Sequence, residues 1–510
     1  YGTGGTRAAD SPLLQFSDNV SWTHGAHSLK AGAEFLFAWT NGWNTGNTDM
    51  YPTATLGVGN VAIQGITAAN FGGLNAFDIP TAQDLLGTLA GSVASVRQSF
   101  IINSPTATAF DDYKKTIRRL RRLHQNDWSG FFKDNWKVNS NLTLNLGLRY
   151  DKYGVPYEAS GIAGRPKGGQ AGLFGISGTN FSALRNPYAS GGTWQDDWNN
   201  FAPSIGFSWS LPYFRNTVVR GGYGINYTAA PTFLQYDANI GGINGAEQTV
   251  TVTPAAYTDL STLRLPLQPT GVPFAVIPLT DRTQTFTGYD DHRVSPYVQN
   301  FNLSVQHELA RNLTLDVAYS ATKGTKLWQA IQLNEVNIFN NGILDAFNIT
   351  RAGGNAPLFD RMLNGLNVPG VGTVNGSSLT GSEALRRFAT TNIWIANGEV
   401  GALANFINNT NAFGGARGQL LRNAGLPENF IVVNPQFGSV TLHGNNDNST
   451  YHSLVTQVTK RMSHGVTGQF AYTWAKTLGN SVASDMSQNT DTTSVVRDPR
   501  NRSPPLRLCG

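Results

Sequence analysis

The feature that most constrains this chain is one plan repeated five times. Two runs of alternating apolar and polar residues are joined by a short polar turn. Leu142–Tyr150 is the clearest run. Leu142, Leu144, Leu146, Leu148 and Tyr150 fall on one side, and Thr143, Asn145, Gly147 and Arg149 on the other. A strand sends successive side chains to opposite faces, so this run has one apolar and one polar face. The same plan pairs Leu14–Trp22 with Leu29–Phe37, Trp128–Trp136 with Leu142–Tyr150, and Pro203–Trp209 with Val219–Tyr227. It pairs Tyr297–Leu309 with Leu313–Tyr319, and His452–Lys460 with Val466–Trp474. Asp18, Phe131 and Asp134 interrupt the alternation. Pro212 and Asn216 fall in the third turn, where their backbone restrictions cost little.

The segments between hairpins are Ala38–Asp127, Lys152–Ala202, Thr228–Pro296 and Thr322–Tyr451, all rich in Gly, Asn, Thr and Ser. Their lengths run from about 50 to about 130 residues, and compact soluble domains rarely join hairpins by such connections. Some must hold further strands, with Ser95–Ile102 one candidate; the rest are expected to be long loops. Short turns at one end and long loops at the other mark a membrane-spanning antiparallel barrel. The expected fold is all-β: a partial, up-and-down transmembrane β-barrel with short periplasmic turns and long extracellular loops. Trp22, Trp128, Trp136, Trp209, Tyr150, Tyr227, Tyr319 and Trp474 are expected at strand ends, as interfacial girdles.

Composition agrees with that wall. Charged residues make up 14% of the 510, aromatic residues 11%, and there are 56 glycines. Mean hydropathy is nonetheless −0.24, as suits an apolar outside and a polar lumen. No run of about 18 apolar residues occurs, so a transmembrane helix is not expected, whereas barrel strands need only about 9–11 residues. Cys509 stands alone, which excludes a disulfide framework and a cysteine metal site. The net charge of +5 is spread out except for one cluster, and does not point to nucleic acid. The chain begins at Tyr1 without a signal peptide and ends in Ser503–Gly510, a tail with no strand pattern. It reads as a fragment lacking material at both ends.

At the hairpins the sequence resembles a known family. Gly130–Tyr150 looks like a strand–turn–strand of TonB-dependent receptors, with Asp134-Asn-Trp-Lys137 and Leu144-Asn-Leu-Gly-Leu-Arg-Tyr150 carrying most of the likeness. More narrowly it resembles the Oar-like receptors of Acidobacteria, which place a carboxypeptidase-regulatory-like domain and a plug before a large barrel. His27–Phe35, Asn200–Phe207, Arg220–Tyr227, Ser295–Gln306, Tyr319–Lys326, Tyr451–Arg461 and Phe470–Leu478 also fit. The resemblance implies that residues 1–510 are part of a receptor barrel, without the plug, the N-terminal domain or the closing C-terminal strands. It implies the cell outer membrane, with lipid and lipopolysaccharide around the wall. It also implies active uptake of a large scarce solute (siderophore, glycan or peptide), with the TonB complex acting through the missing plug. A secreted soluble β-rich protein, carbohydrate-binding or adhesive, is the alternative; it would have to cover the face of Leu142, Leu144, Leu146 and Leu148. A passive porin is a third reading, though its loops are usually shorter.

No catalytic constellation emerges, and an enzyme is not expected. His307-Glu308 begins like a zinc-protease helix, but Arg311 stands where the second histidine would be, in strand context. There is neither a Gly-x-Ser-x-Gly elbow nor a phosphate-binding glycine loop, and eight scattered histidines lack ligand spacing. No cofactor or metal is expected, and the ligand-binding residues are unknown from sequence. Trp194, Trp198 and Tyr236 are loop aromatics that would suit stacking on a sugar or siderophore ring, or ordinary loop packing. Lys114, Lys115, Arg118, Arg119, Arg121 and Arg122 form the one dense basic cluster. As a helix they would share an arc of roughly 160° opposite Ile117, Leu120 and Leu123. Such a cluster is either a solvated surface or, near a barrel rim, a contact for lipopolysaccharide phosphates or another anion. It lacks the interleaved aromatics of a nucleic-acid site.

Overall fold

The computed structural model describes residues 7–44, 50–57, 67–70, 72–75, 77–116, 118–166, 181–184, 194–214, 216–228, 246–254, 256–275, 277–463 and 465–479. Tyr236, Ile117 and the 503–510 tail lie outside these residues.

Ten long strands form the wall. They are β1 (Leu13–His24), β2 (His27–Asn44), β3 (Arg119–Lys137), β4 (Leu142–Lys152) and β5 (Phe201–Ser210). Then come β6 (Thr217–Tyr227), β7 (Tyr297–Ala310), β8 (Leu313–Gln332), β9 (Ser439–Ser463) and β10 (Val466–Gly479). Each pairs antiparallel with its neighbour in sequence, so the sheet is an up-and-down meander from β1 to β10.

All five hairpins expected from the alternation are present. Trp22 stands opposite Leu29, Trp136 opposite Leu144, Trp209 opposite Val219, Leu303 opposite Tyr319 and Val458 opposite Phe470. The turns carry the chemistry they need. In the second, the Asn139 side chain accepts hydrogen bonds from the backbone N–H groups of Asn141 (2.8 Å) and Leu142 (2.9 Å). Asn216 and Asn312 take positive φ (63° and 65°), which asparagine tolerates better than most residues.

At the loop end several strands run well past the apolar alternation, and β9 is 25 residues long. New partners join them there. Arg7–Asp10 pairs with β2, Tyr157–Glu158 with β3, and Thr285–Tyr289 lies parallel to the first residues of β9. A separate three-stranded sheet joins Thr53–Leu56, Val93–Ile101 and Glu247–Val252, close to the strand foreseen at Ser95–Ile102. Helix α1 (Ile79–Leu89) precedes its central strand.

The connection between β8 and β9 is the largest departure from the loops expected there. It folds into six short helices: α2 (Ile343–Arg351), α3 (Pro357–Leu363), α4 (Gly381–Arg387), α5 (Asn392–Asn397), α6 (Val400–Asn409) and α7 (Gln419–Asn423). They enclose a core of their own, with Phe347, Phe359, Met362, Leu403 and Leu421 buried. A fully buried Arg282 ties this helical unit to the 277–284 segment. Its Nε donates to the Leu279 carbonyl (3.0 Å), Nη1 to the Asn408 carbonyl (3.0 Å), and Nη2 pairs with Glu428.

Candidate functional site: wall faces, mouth and rim

The two faces of the wall are chemically opposite. On one, Trp136, Leu144, Phe207, Gly221, Leu303, Tyr319, Leu454 and Trp474 lie side by side across β3 to β10. One residue along each strand, the other face carries Ser28, Asn135, Asn145, Gly206, Gly222, Asn302, Ser320 and Ser453 across β2 to β9. The apolar face has no described protein over it: Leu148 is 48% exposed, Ile205 53% and Phe132 52%. A soluble fold would leave such a row in water at a cost of roughly 1.5–3 kcal/mol for each large side chain. A bilayer takes the same row without that cost.

Aromatic rings mark both ends of this face. At the loop end Trp128 packs on Tyr150 (5.2 Å between ring centroids), Tyr150 on Phe201 (4.8 Å) and Tyr227 on Tyr297 (5.5 Å). At the turn end His27 stacks on Trp136 (5.2 Å) and Trp22 on His24 (5.4 Å). Trp128, Tyr319 and Trp474 differ from expectation. They sit inside β3, β8 and β10 rather than at strand ends, because those strands continue beyond the apolar alternation.

The polar face holds a concavity of roughly 400 Å3, lined in part by Lys30, Lys133, Arg149, Asp151, Ser204 and Asn226. Arg149 is fixed: its Nε donates to Asp151 (2.7 Å) and its Nη2 to Ser129 Oγ (2.8 Å). Lys30 and Lys133 stand directly opposite one another on β2 and β3. Like charges at that spacing repel.

Above the wall the connections interlock into a mouth. The Asp197 carboxylate accepts from the Ser295 backbone N–H (2.8 Å). Asn445 accepts from the Val294 N–H and donates to its carbonyl (2.9 Å each). Tyr153 donates to the Tyr227 carbonyl (3.3 Å); burial, and then the charge of Asp151, push its pKa up and keep it a neutral donor. Arg293 is buried against three rings, 5.2 Å from Trp194, 5.0 Å from Tyr289 and 4.9 Å from Trp328.

Trp194 is therefore a packing residue, buried with Leu123, Val155 and Tyr289. Trp198 is exposed, with the Lys152 ammonium 4.8 Å from its ring, and joins the aromatics around Trp128 (6.4 Å). The two are not brought together as a ligand platform. His307 lies on β7, where its Nδ1 bonds Thr217 Oγ1 (2.7 Å), and Glu308 follows it in the same strand. Among the described residues no group of three or more His, Cys, Asp or Glu side chains is placed to hold a metal.

The basic cluster is not a helix. Lys114 and Lys115 lie in a turn, Arg118 precedes β3, and Arg119 to Arg122 open that strand. A strand separates alternate residues instead of gathering them on one arc. Arg119 and Arg121 point inward, buried, and pair with Glu247 (2.8 and 3.3 Å), which ties β3 to the Glu247–Val252 strand. The two faces of the strand thus divide the cluster between a structural bridge and a solvent surface. That bridge had no sequence signal, since Glu247 is over a hundred positions away.

Taken together, an open meander with a lipid-type face, a polar face and a loop-built mouth defines part of an outer-membrane β-barrel wall. The comparison with known families agrees. The chain belongs to the outer membrane beta-barrel domain family, which matches residues 1–505. No curated protein matches the sequence. Among solved structures the chain is similar to the outer membrane transporter YddB from Escherichia coli, at 10% identity, covering 93% of this chain and 34% of that one with a TM-score of 0.39. It is similar to the ferripyoverdine receptor of Pseudomonas aeruginosa (10% identity, 93% and 34% covered, TM-score 0.30). The siderophore receptor PirA from Acinetobacter baumannii is a third (8% identity, 93% and 48% covered, TM-score 0.29). The chain spans between a third and a half of the length of these proteins.

Proposed function

We propose that this chain is the barrel portion of a TonB-dependent receptor of the Oar-like kind, which takes up a large scarce solute across the outer membrane. The observation that carries the reading is the wall itself: apolar outside, polar inside, short turns at one end and interlocked long connections at the other. The motifs of Gly130–Tyr150 and the other hairpins add the family likeness. In this reading the connections at the mouth select the solute and a plug outside these residues blocks the lumen. The TonB complex supplies the energy, and the chain catalyses no covalent step. The polar concavity around Lys30, Lys133 and Arg149 would lie on the solute's path or against the plug.

The test separates a gated receptor from an open pore. Full-length protein, extracted from the outer membrane and showing heat-modifiable mobility, is reconstituted into liposomes and osmotic swelling is followed in arabinose and in stachyose. A plugged receptor gives no swelling with either sugar. Swelling that falls with sugar size would identify a passive porin and sink the receptor reading. A protein that stays folded in water without detergent would return the adhesive-module alternative.

A further inference from the structure

Two lysines on the polar face of the wall stand in direct opposition, Lys30 on β2 and Lys133 on β3. Side chains so placed have Cβ atoms about 5 Å apart, and like charges there repel. Neither lysine has an ion-pair or hydrogen-bond partner among the described residues. The carboxylates nearby are held elsewhere. Asp151 is buried and accepts from Arg149 Nε (2.7 Å), so those two charges cancel. Asp134, next to Lys133 in sequence, stands between Leu29 and Leu146 on the other face and hydrogen-bonds His27 Nδ1 (2.6 Å). Glu34 accepts from Gln15 and lies four residues from Lys30 along β2, about 13 Å at the rise of a strand. Asp127 accepts from the Gly154 N–H (2.7 Å) and lies six residues from Lys133 along β3, about 20 Å away. Both distances exceed the screening length of about 8 Å at physiological salt. Two positive charges therefore stand together in excess.

The register explains why a hollow opens beside them. The row through the lysines continues to Gly147 on β4, Ser204 on β5 and Gly224 on β6. Two of those three positions have no side chain, so the surface drops to backbone. The Ser204 hydroxyl leans across Gly147, where a Cβ would lie 2.5 Å from Ser204 Oγ. In the next row Phe131 lays its ring over Gly32, where a Cβ would come within 2.6 Å of it, and stands opposite Arg149. The result is the concavity of roughly 400 Å3, with two ammonium groups at one side, a hydroxyl on the floor and an aromatic ring at its edge. That volume is the size of a small-molecule site (about 300–1,000 Å3) and exceeds what one carboxylate side chain would fill.

We propose that Lys30 and Lys133, with Ser204, form an oxyanion subsite in the lumen for a small solute bearing two or more carboxylate or phosphate groups. The inference rests on the receptor reading above and gives it a substrate class. Each ammonium is a point charge on a flexible stem, so the pair adapts to oxyanions of differing spacing. The Ser204 hydroxyl donates to the oxygen that reaches the floor. Binding also relieves the repulsion between the lysines, which favours a dianion over two separate single charges.

The experiment uses full-length protein in neutral detergent, titrated with tricarballylate and with its uncharged triamide. Acetylation of each lysine is followed by mass spectrometry in the same samples. Tricarballylate should bind about tenfold tighter than the triamide, the factor that one charge-assisted hydrogen bond supplies. It should slow acetylation at Lys30 and Lys133, while Lys137, exposed at the end of β3, labels at an unchanged rate. The variant Lys30→Gln, Lys133→Gln should lose the preference for acid over amide; if it does not fold, Lys133→Gln alone should weaken that preference severalfold. Equal binding of acid and amide, or an unchanged preference in the variants, overturns the proposal. Lysines already shielded with no anion added would mean that another part of the full-length chain fills the site, which overturns it too. Osmotic swelling of the same preparation keeps the two readings apart. Swelling that falls with sugar size, with tricarballylate binding intact, sinks the receptor reading and leaves the anion site standing; no swelling and no binding does the reverse.

Discussion

Arg282 shows how much one buried side chain can hold. It is enclosed by the helical unit and satisfied by the backbone carbonyls of Leu279 and Asn408 and by the Glu428 carboxylate, while Arg422 Nη1 also donates to Glu428 (2.8 Å). Arg282→Met removes the central cation but leaves Glu428 its second partner. The cost should therefore sit at the low end for breaking a buried pair, about 3 kcal/mol. Hydrogen exchange across Val400–Asn409 should speed up by roughly a hundredfold; unchanged protection would show that the helices hold their position without the arginine. Glu335, in the segment leading into those helices, is a different case. Burial raises its pKa, with no cation among the described residues to offset it. A carboxyl with a raised folded-state pKa is better tolerated when protonated. Its favourable contribution is present at low pH and is lost as pH rises through that raised value. Glu335→Gln should make the unit slightly more stable at neutral pH and leave it unchanged in acid, flattening this part of the pH–stability curve. Thermal melts followed by helical circular dichroism at several pH values check this; a variant less stable at neutral pH would contradict it.

At the scale of elements the wall strands obey a rule of position. Leu303 and Asn302 are neighbours on β7, which lies between β6 and β8, yet one faces lipid and the other the polar side. Arginine at a lipid-facing midplane position costs about 2–4 kcal/mol, whereas a lumen position tolerates it. Leu303→Arg should thus lose that much stability in urea unfolding from lipid vesicles, and Asn302→Arg should lose little. Equal losses would mean that both faces are dry. This rule is also why the wall was legible in sequence. Lipid outside and water inside impose strict alternation, so all five hairpins could be placed from pattern alone. The legibility ends where the bilayer ends. Along Arg119–Gln125 burial still alternates, but the buried positions include Arg119, Arg121 and Gln125. Their partners come from distant connections such as Glu247, so a hydropathy pattern has nothing to register there. The six cations share one arc only at the helical period; in a strand Arg119 and Arg121 turn inward to that bridge and Arg122 turns away. The helices between β8 and β9 escaped for another reason. They run from 5 to 10 residues, shorter than the window in which helical periodicity can be counted. One signal was present: Thr380 and Glu383 have capping-box spacing, and the Thr380 hydroxyl does accept from the Glu383 N–H (3.1 Å).

At the scale of the molecule, these two kinds of structure make separable demands on the chain. The wall is stabilised by register between neighbouring strands and by lipid on its apolar face. The helical unit has its own buried core and meets the rest through Arg282 and the strand ends around Asn334 and Asn434. Asn334 Nδ2 donates to the Asn434 (2.7 Å) and Phe437 (2.8 Å) carbonyls, and its Oδ1 accepts from the Asn434 N–H (2.9 Å), so the two chain ends of the unit leave side by side. A unit whose ends are adjacent can be cut out with a short linker at little entropic cost. Replacing residues 336–432 with a Gly-Ser linker should leave β8 and β9 paired, preserve heat-modifiable mobility and remove most helical circular dichroism. Loss of the mobility shift would mean that the unit is needed to assemble the wall. Retention would make it an outer module mounted on a finished sheet, and solute binding could then be compared with and without it.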